Sequence, residues 1–179
     1  MIRHFKVDFT PSKKYYTAEE FSDAMDRYEN SPIIINPLIT HNTGWDICYC
    51  STISRAVETA KNIYNDTIVY SDLIVEVPIA PFTKRKIRLS SFFWHLGGRI
   101  AWYRNRCSQP ETRKETLCRI NNFIDEISGK NYNSVLLVTH GFFMRVFVEQ
   151  LLKIGYNGKI DLRPENGKLY IFRKGILRR

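Results

Sequence analysis

The sequence predicts an α/β sandwich built around a mostly parallel sheet, and three observations carry that expectation. Residues 134–140, SVLLVTH, form an apolar run without alternation, the pattern of a strand buried on both faces. Strand-like and helix-like segments take turns along the chain. In two of these units a strand ends in a polar residue and a helix starts directly after it.

The elements follow in chain order. Residues 17–29, TAEEFSDAMDRYE, open with Thr17 and Glu20 at capping-box spacing and place Phe21 and Met25 at i, i+4, which predicts a helix. Residues 46–50, DICYC, predict a short buried strand, with a helix over 53–64, ISRAVETAKNIY. YSDLIVEVPIAPF is apolar with two prolines and predicts an extended segment or a loop. Over 112–128, Leu117, Ile120, Ile124 and Ile127 share one helical face with Phe123 alongside. After the 134–140 strand comes a helix over 142–152, FFMRVFVEQLL, apolar nearly all round, and 167–172, GKLYIF, predicts a last strand.

At 179 residues the chain fits one domain, 1–179, with a sizeable core. Hydrophobic residues make up 44% and charged residues 25%, ordinary for a globular protein, and no run approaches the ~20 apolar residues of a membrane span. The basic N-terminus has neither the apolar core nor the cleavage site of a signal peptide, so the cytoplasm is the expected compartment. There Cys48, Cys50, Cys107 and Cys118 are expected as reduced structural thiols, since no second Cys/His pair stands at zinc-ligand spacing. The net charge of +9 points to acidic partners: phosphorylated small molecules, phosphoproteins, nucleic acid or an anionic membrane surface.

Ligands in open α/β sheets bind at the carboxyl ends of the strands. That places Ser51, Arg55, His140 and Gly141 together, joined by Arg3 and His4 if a first strand ends at Ile2. The three segments IRHFKV (2–7), STISRAVETA (51–60) and VTHGFFMR (138–145) resemble the histidine phosphatase superfamily. Its hallmarks are an RHG motif after the first strand, an SPLxRAxxTA motif and an SHGGxxR motif. Ser51, Arg55, Ala56, Thr59 and Ala60 match the second, and His140, Gly141 and Arg145 the third. The resemblance implies a three-layer α/β/α sandwich of phosphoglycerate-mutase-like fold.

It also implies roles. His4 is the nucleophile that becomes transiently phosphorylated, and Arg3, Arg55 and His140 cradle the phosphoryl group, with Ser51 and Gly141 at the substrate. A neutral imidazole attacks phosphorus without a metal, and arginine forks pair phosphate oxygens bidentately. Glu76, in LIVE (73–76), matches the family's proton donor to the leaving oxygen. No metal or other cofactor is expected. The basic, aromatic stretch 82–106 matches a cap-like insertion that sets substrate choice, and Arg85 and Arg88 are its candidates for a second anionic group. Other uses of that stretch are an interfacial amphipathic segment or a nucleic-acid patch; the fuller expectation is that its aromatics are core and its charges a solvated face, and nucleic acid is the lesser one.

The chain departs from the family at four positions. Phe5 stands for the glycine after RH, Val7 for a threonine, Phe142 for the second glycine of HGG and Thr52 for the motif proline. The two phenylalanines are expected to narrow the pocket or reshape its mouth. Only Met1 and Ile2 precede Arg3, so either the first strand is very short or the natural start lies upstream. His41 and His95 match no motif, Arg119 reads as surface, and Arg145 reads as a structural neighbour of the site. The expected activity is metal-independent hydrolysis of phosphate monoesters on a phosphorylated small molecule or phosphoprotein. The alternatives are a protein phosphohistidine phosphatase and a non-catalytic phosphate-binding relative; a mutase is less expected. Oligomeric state is not readable from the sequence.

Overall fold

The computed structural model describes residues 1–36 and 44–175, so His41 lies outside the described residues. Its principal elements are β1 (Ile2–Arg3), α1 (Ala18–Glu29), β2 (Ile47–Ser51), α2 (Ser54–Ile63), β3 (Ile68–Ser71), α3 (Ser91–Tyr103), α4 (Arg113–Ser128), β4 (Val135–Thr139) and α5 (Gly141–Lys153). The chain divides into two compact units. One comprises Met1–Lys6, Ile33–Glu76 and Arg119–Arg179, the other Val7–Pro32 and Val77–Cys118.

The first unit holds a four-stranded, all-parallel sheet in the order β1-β4-β2-β3. β2 and β4 lie at its centre, and the register pairs Cys48 with Leu136 and Cys50 with Val138. Those four side chains point one way and pack against Ala56, Ala60 and Ile63 of α2, whose alanines let helix and sheet approach closely. Tyr49 points the other way. Its ring meets Phe123 of α4 at 5.3 Å, and Phe123 meets Phe147 of α5 at 6.0 Å. Helices on both faces of a parallel sheet make the expected three-layer sandwich. Cys48 and Cys50 share a face as i, i+2 neighbours, and burial pushes the Cys48 thiol up to about 12.

Two strand expectations need correction. The extended or loop segment expected over 70–82 misses a strand that starts before it: Ile68–Ser71 pairs with β2 as an edge strand, and Asp72–Ile74 forms one 3-10 turn. At the other end, 167–172 is not a regular strand. Gly167 takes a positive φ of 74°, and only Leu169 bridges to Ile2. The strand there is Phe172–Lys174, paired antiparallel with Tyr156–Gly158. β1 has just two residues but is bonded on both sides. Ile2 lies opposite Val138 and, across the other edge, opposite Leu169, while Gly167 N–H donates to the Arg3 carbonyl at 2.8 Å.

The second unit starts with the capping box. Thr17 Oγ1 accepts from Glu20 N–H and Glu20 Oε2 accepts from Thr17 N–H, which sets the first turn of α1. Phe21 then stacks on Trp94 of α3 at 5.8 Å, and Trp94 donates its indole N–H to the Tyr16 carbonyl at 2.9 Å. Gly98 admits the chain beside it: a Cβ there would lie 2.8 Å from Ile79 Cγ1. Residues 82–106 lie in this unit. Among the described residues, no helix is long and apolar enough to cross a membrane.

Phe123 is fully buried between β2 and α5, so Phe123→Ala should lower unfolding stability by about 3 kcal/mol or more. Urea denaturation reads this directly, and a loss below about 1 kcal/mol would show that the aromatic column is not core.

Candidate active site

Every residue placed at the centre of the site by sequence, except the two arginines of the 82–106 stretch, belongs to the first unit. Arg3 ends β1 and His4 follows it, Ser51 ends β2, Arg55 lies in the first turn of α2, and His140 links β4 to α5. Pairing of Arg3 with Thr139 fixes the two histidines side by side, with ring centroids 5.1 Å apart and planes at 54°. His4 is 2% exposed, Arg55 3% and His140 fully buried.

His4 is held on all sides. Its N–H donates to the Thr139 carbonyl at 2.9 Å, and its carbonyl accepts from Asn166 Nδ2 at 2.6 Å. The next amide, Phe5 N–H, donates to Thr59 Oγ1 at 2.8 Å, and that hydroxyl donates to the Arg55 carbonyl at 2.7 Å. Thr59 thus joins the motif helix to the backbone beside His4. The ring is fixed as well. Nδ1 lies 2.7 Å from the Phe5 carbonyl, which can only accept, so Nδ1 carries the proton and Nε2 keeps its lone pair.

Electrostatics reinforce that tautomer. Burial lowers His4 to about 3, the Arg55 and Arg3 charges add to the fall, and the Phe5 carbonyl opposes it. His140 lies well below the ordinary histidine range, first through burial and then through His4, Arg55, Arg3 and Arg119. Both rings are neutral at neutral pH. His140 Nε2 lies 2.8 Å from Ser51 Oγ, and that hydroxyl oxygen accepts from Ile53 N–H at 3.3 Å. Ser51 therefore orients His140.

Arg3 Nη1 donates to the Pro164 carbonyl at 2.9 Å. Arg3 Nε and His140 Nδ1 are buried and have no hydrogen-bond partner among the described residues. Gly141 makes room for this guanidinium, because a Cβ there would lie 3.0 Å from Arg3 Nε. Glu76 caps α5, with Oε1 accepting from Phe143 N–H at 2.9 Å and Oε2 from Phe142 N–H at 3.3 Å.

Three readings change. Phe5 does not narrow a pocket; it is 2% exposed and packs under the sheet with Ile2, Cys48 and Val138. Arg119 is not mere surface. It donates to the Leu73 carbonyl at 2.8 Å, lies 5.0 Å over the Phe143 ring, and its charge acts on His140. Asn166 was not singled out, since a lone asparagine in a polar loop carries no signal in sequence. Arg145 lies over the Phe142 ring at 5.7 Å, in keeping with a structural role. In the second unit Arg88 contacts Glu20 at 3.4 Å and the Tyr15 carbonyl at 3.3 Å, while Arg85 is exposed. His95 bonds the Ser91 carbonyl through Nδ1 at 2.8 Å and packs edge-on against Phe21.

Comparison with known proteins places this arrangement. Among solved structures, the chain is similar to a protein of Escherichia coli K-12 MG1655 provisionally assigned as an alpha-ribazole-5'-P phosphatase. The TM-score is 0.56 at 16% identity, over 97% of this chain and 93% of that one. It is also similar to the alpha-ribazole phosphatase of Shigella flexneri, with a TM-score of 0.54 at 16% identity, over 84% of this chain and 77% of that one. At these identities the likeness is one of fold. No curated protein matches the sequence. The family profile matches residues 39–174, which take in the second and third motifs but not Arg3 and His4. With a match over most of its length, the chain belongs to the histidine phosphatase superfamily, branch 1.

Proposed function

We propose that the protein is a metal-independent phosphatase that hydrolyses phosphate monoesters through a phosphohistidine on His4 Nε2. Membership of the superfamily supports a phosphatase or mutase-like activity. The observation that carries the finer reading is the His4 ring itself, which is neutral, locked with Nδ1–H on the Phe5 carbonyl, and presents a bare Nε2 beside Arg3, Arg55 and His140.

Nε2 attacks phosphorus, forming the N–P bond as the ester P–O bond breaks. The imidazole then carries positive charge, which the Nδ1–H···O=C bond to Phe5 spreads. Arg3 and Arg55 meet the charge on the phosphoryl oxygens, and His140 donates from the ring nitrogen that bears its proton. Glu76 is assigned the proton for the leaving oxygen. Its oxygens accept from the Phe142 and Phe143 amides at the start of α5, and the proton it passes to the leaving oxygen comes from solvent. Water next attacks phosphorus, the N–P bond breaks, and inorganic phosphate leaves with His4 restored; Glu76 takes up the water proton. Water as second acceptor makes the protein a hydrolase rather than a mutase. Retention of phosphate without turnover is a second reading, favoured by the near-complete enclosure of His4.

Aryl phosphate hydrolysis with EDTA present tests the nucleophile: His4→Ala should lose at least about a thousand-fold in kcat. Tight phosphate binding by a wild type without turnover would favour the binding relative instead. Glu76→Gln separates the acid. On an alkyl phosphate kcat should fall about a hundred-fold or more, whereas an aryl phosphate, with its good leaving group, should be little affected. Equal losses on both would give Glu76 a purely structural task.

Burial of neutral His4 also sets an acid limit on stability. Between 6.5 and about 3 the unfolded chain binds a proton on this residue and the folded chain does not. Stability is therefore fully present above the unfolded value and falls as pH drops through that window, by about 1.4 kcal/mol per pH unit for one such group. His4→Asn should show a shallower fall in denaturation midpoints over the same range. An unchanged slope would mean that His4 titrates normally in the fold.

A further inference from the structure

We propose that the outer face of α3 is a docking surface for an anionic phospholipid membrane. α3 is apolar on two faces. Trp94, Gly98, Ala101 and Trp102 face inward and are buried. On the other side Phe92, Leu96, Ile100 and Tyr103 follow one another at steps of four, four and three, so they form one continuous stripe with Phe93 beside it. All five are exposed, Phe92 at 61% and Tyr103 at 63%. At 1.5 Å per residue the stripe runs about 16 Å along the helix. Scattered apolar residues on a surface need no explanation, but a contiguous stripe marks an interaction site.

Charge around the stripe selects the occupant. Residues 82–106 contain seven Lys and Arg and no Asp or Glu. Two are engaged within the unit: Arg88 with Glu20, and Arg99 with the Val77 and Pro78 carbonyls. Lys84, Arg85, Lys86, Arg104 and Arg106 are exposed. Arg113 adds a cation 4.9 Å over the Tyr103 ring. A hollow of about 490 Å³ opens beside Ile100, with Phe82 and Ala101 in its lining and Arg104 and Arg106 among its polar residues. A lining that combines apolar side chains with two arginines fits an amphiphile with an anionic head.

A second copy of this face would bring like charges together. Nucleic acid would use the cations and the aromatic rings, but Leu96 and Ile100 offer no ring to stack on. An anionic bilayer satisfies both features at once, with aromatic and aliphatic side chains entering the headgroup boundary and cations meeting lipid phosphates.

Co-sedimentation with vesicles of phosphatidylcholine, alone or mixed with phosphatidylglycerol, tests the proposal. The protein should pellet with the mixed vesicles and not with the neutral ones, and added salt should weaken binding. The triple change Lys84→Ala, Lys86→Ala, Arg106→Ala should lower the partition coefficient about a hundred-fold. Phe92→Ser with Leu96→Ser should lower it at least about tenfold. All five positions are exposed, and circular dichroism checks that the variants fold. Absence of binding to the anionic vesicles would overturn the proposal, as would binding unchanged in the Phe92/Leu96 variant. So would preferential capture of a single-stranded oligonucleotide, or a dimer in sedimentation velocity that Phe92→Ser dissociates.

Discussion

Parallel pairing of β1 with β4 sets Ile2 opposite Val138 and Arg3 opposite Thr139, and the chemistry of the molecule hangs on that register. His4 and His140 are the residues that follow these pairs, so each leaves its strand at the same end and their rings meet at 5.1 Å. A slip of one residue would turn Arg3 and His4 to opposite faces, because successive side chains alternate. The register is itself secured by burial: Ile2 and Val138 are fully enclosed in the layer that packs on α2. Hydrophobic packing beneath the sheet thus positions a polar site at its edge.

Two residues make a poor strand, and the loop after residue 158 compensates. Pro164 gives its carbonyl to Arg3, Asn166 its amide to His4, and Gly167 its N–H to the Arg3 carbonyl. That loop is fixed by its own bonds: Tyr170 donates to Asp161 and accepts from Glu165 N–H, and Lys168 bridges Asp161 and Glu165 at 2.7 Å. Lys168 and its partners are exposed, so the ion pairs contribute little each. The buried backbone bonds carry the burden, since a buried donor or acceptor left without a partner is expensive.

The elements legible in the sequence were those whose pattern and local chemistry agree. Thr17 with Glu20 announced α1, and the unbroken apolar run announced β4, because caps and burial are written in nearby residues. The edge strand Ile68–Ser71 escaped, since a half-buried edge needs no strong pattern and adjoins a proline-containing segment. In the site, the residues that the motifs name are the ones the fold brings together: the two histidines, Arg3, Arg55, Ser51 and Gly141. Phe5 was misjudged because a motif position shows which residue is present but not which way its side chain points. Arg119 and Asn166 act through contacts with Leu73 and His4, 46 and 162 positions away, and no local pattern records such a distance.

The placement of charge around His140 explains why a buried pair of histidines is useful rather than merely tolerated. After burial, each neighbour that acts on its protonation, His4, Arg55, Arg3 and Arg119, pushes in the same direction, against a further positive charge. The site is thus held short of negative charge in its resting state. In the proposed reaction a phosphoryl dianion would supply what is missing, and the guanidiniums that oppose a proton on the histidines would attract the anion. Its arrival reverses the local field and offsets part of the desolvation of the arginines. Neutral histidine at rest and the anion binding proposed above would therefore have one cause, the enclosure of cations beside imidazole rings. In the proposed reaction, that cause would keep the His4 lone pair free until a phosphoryl group is in place.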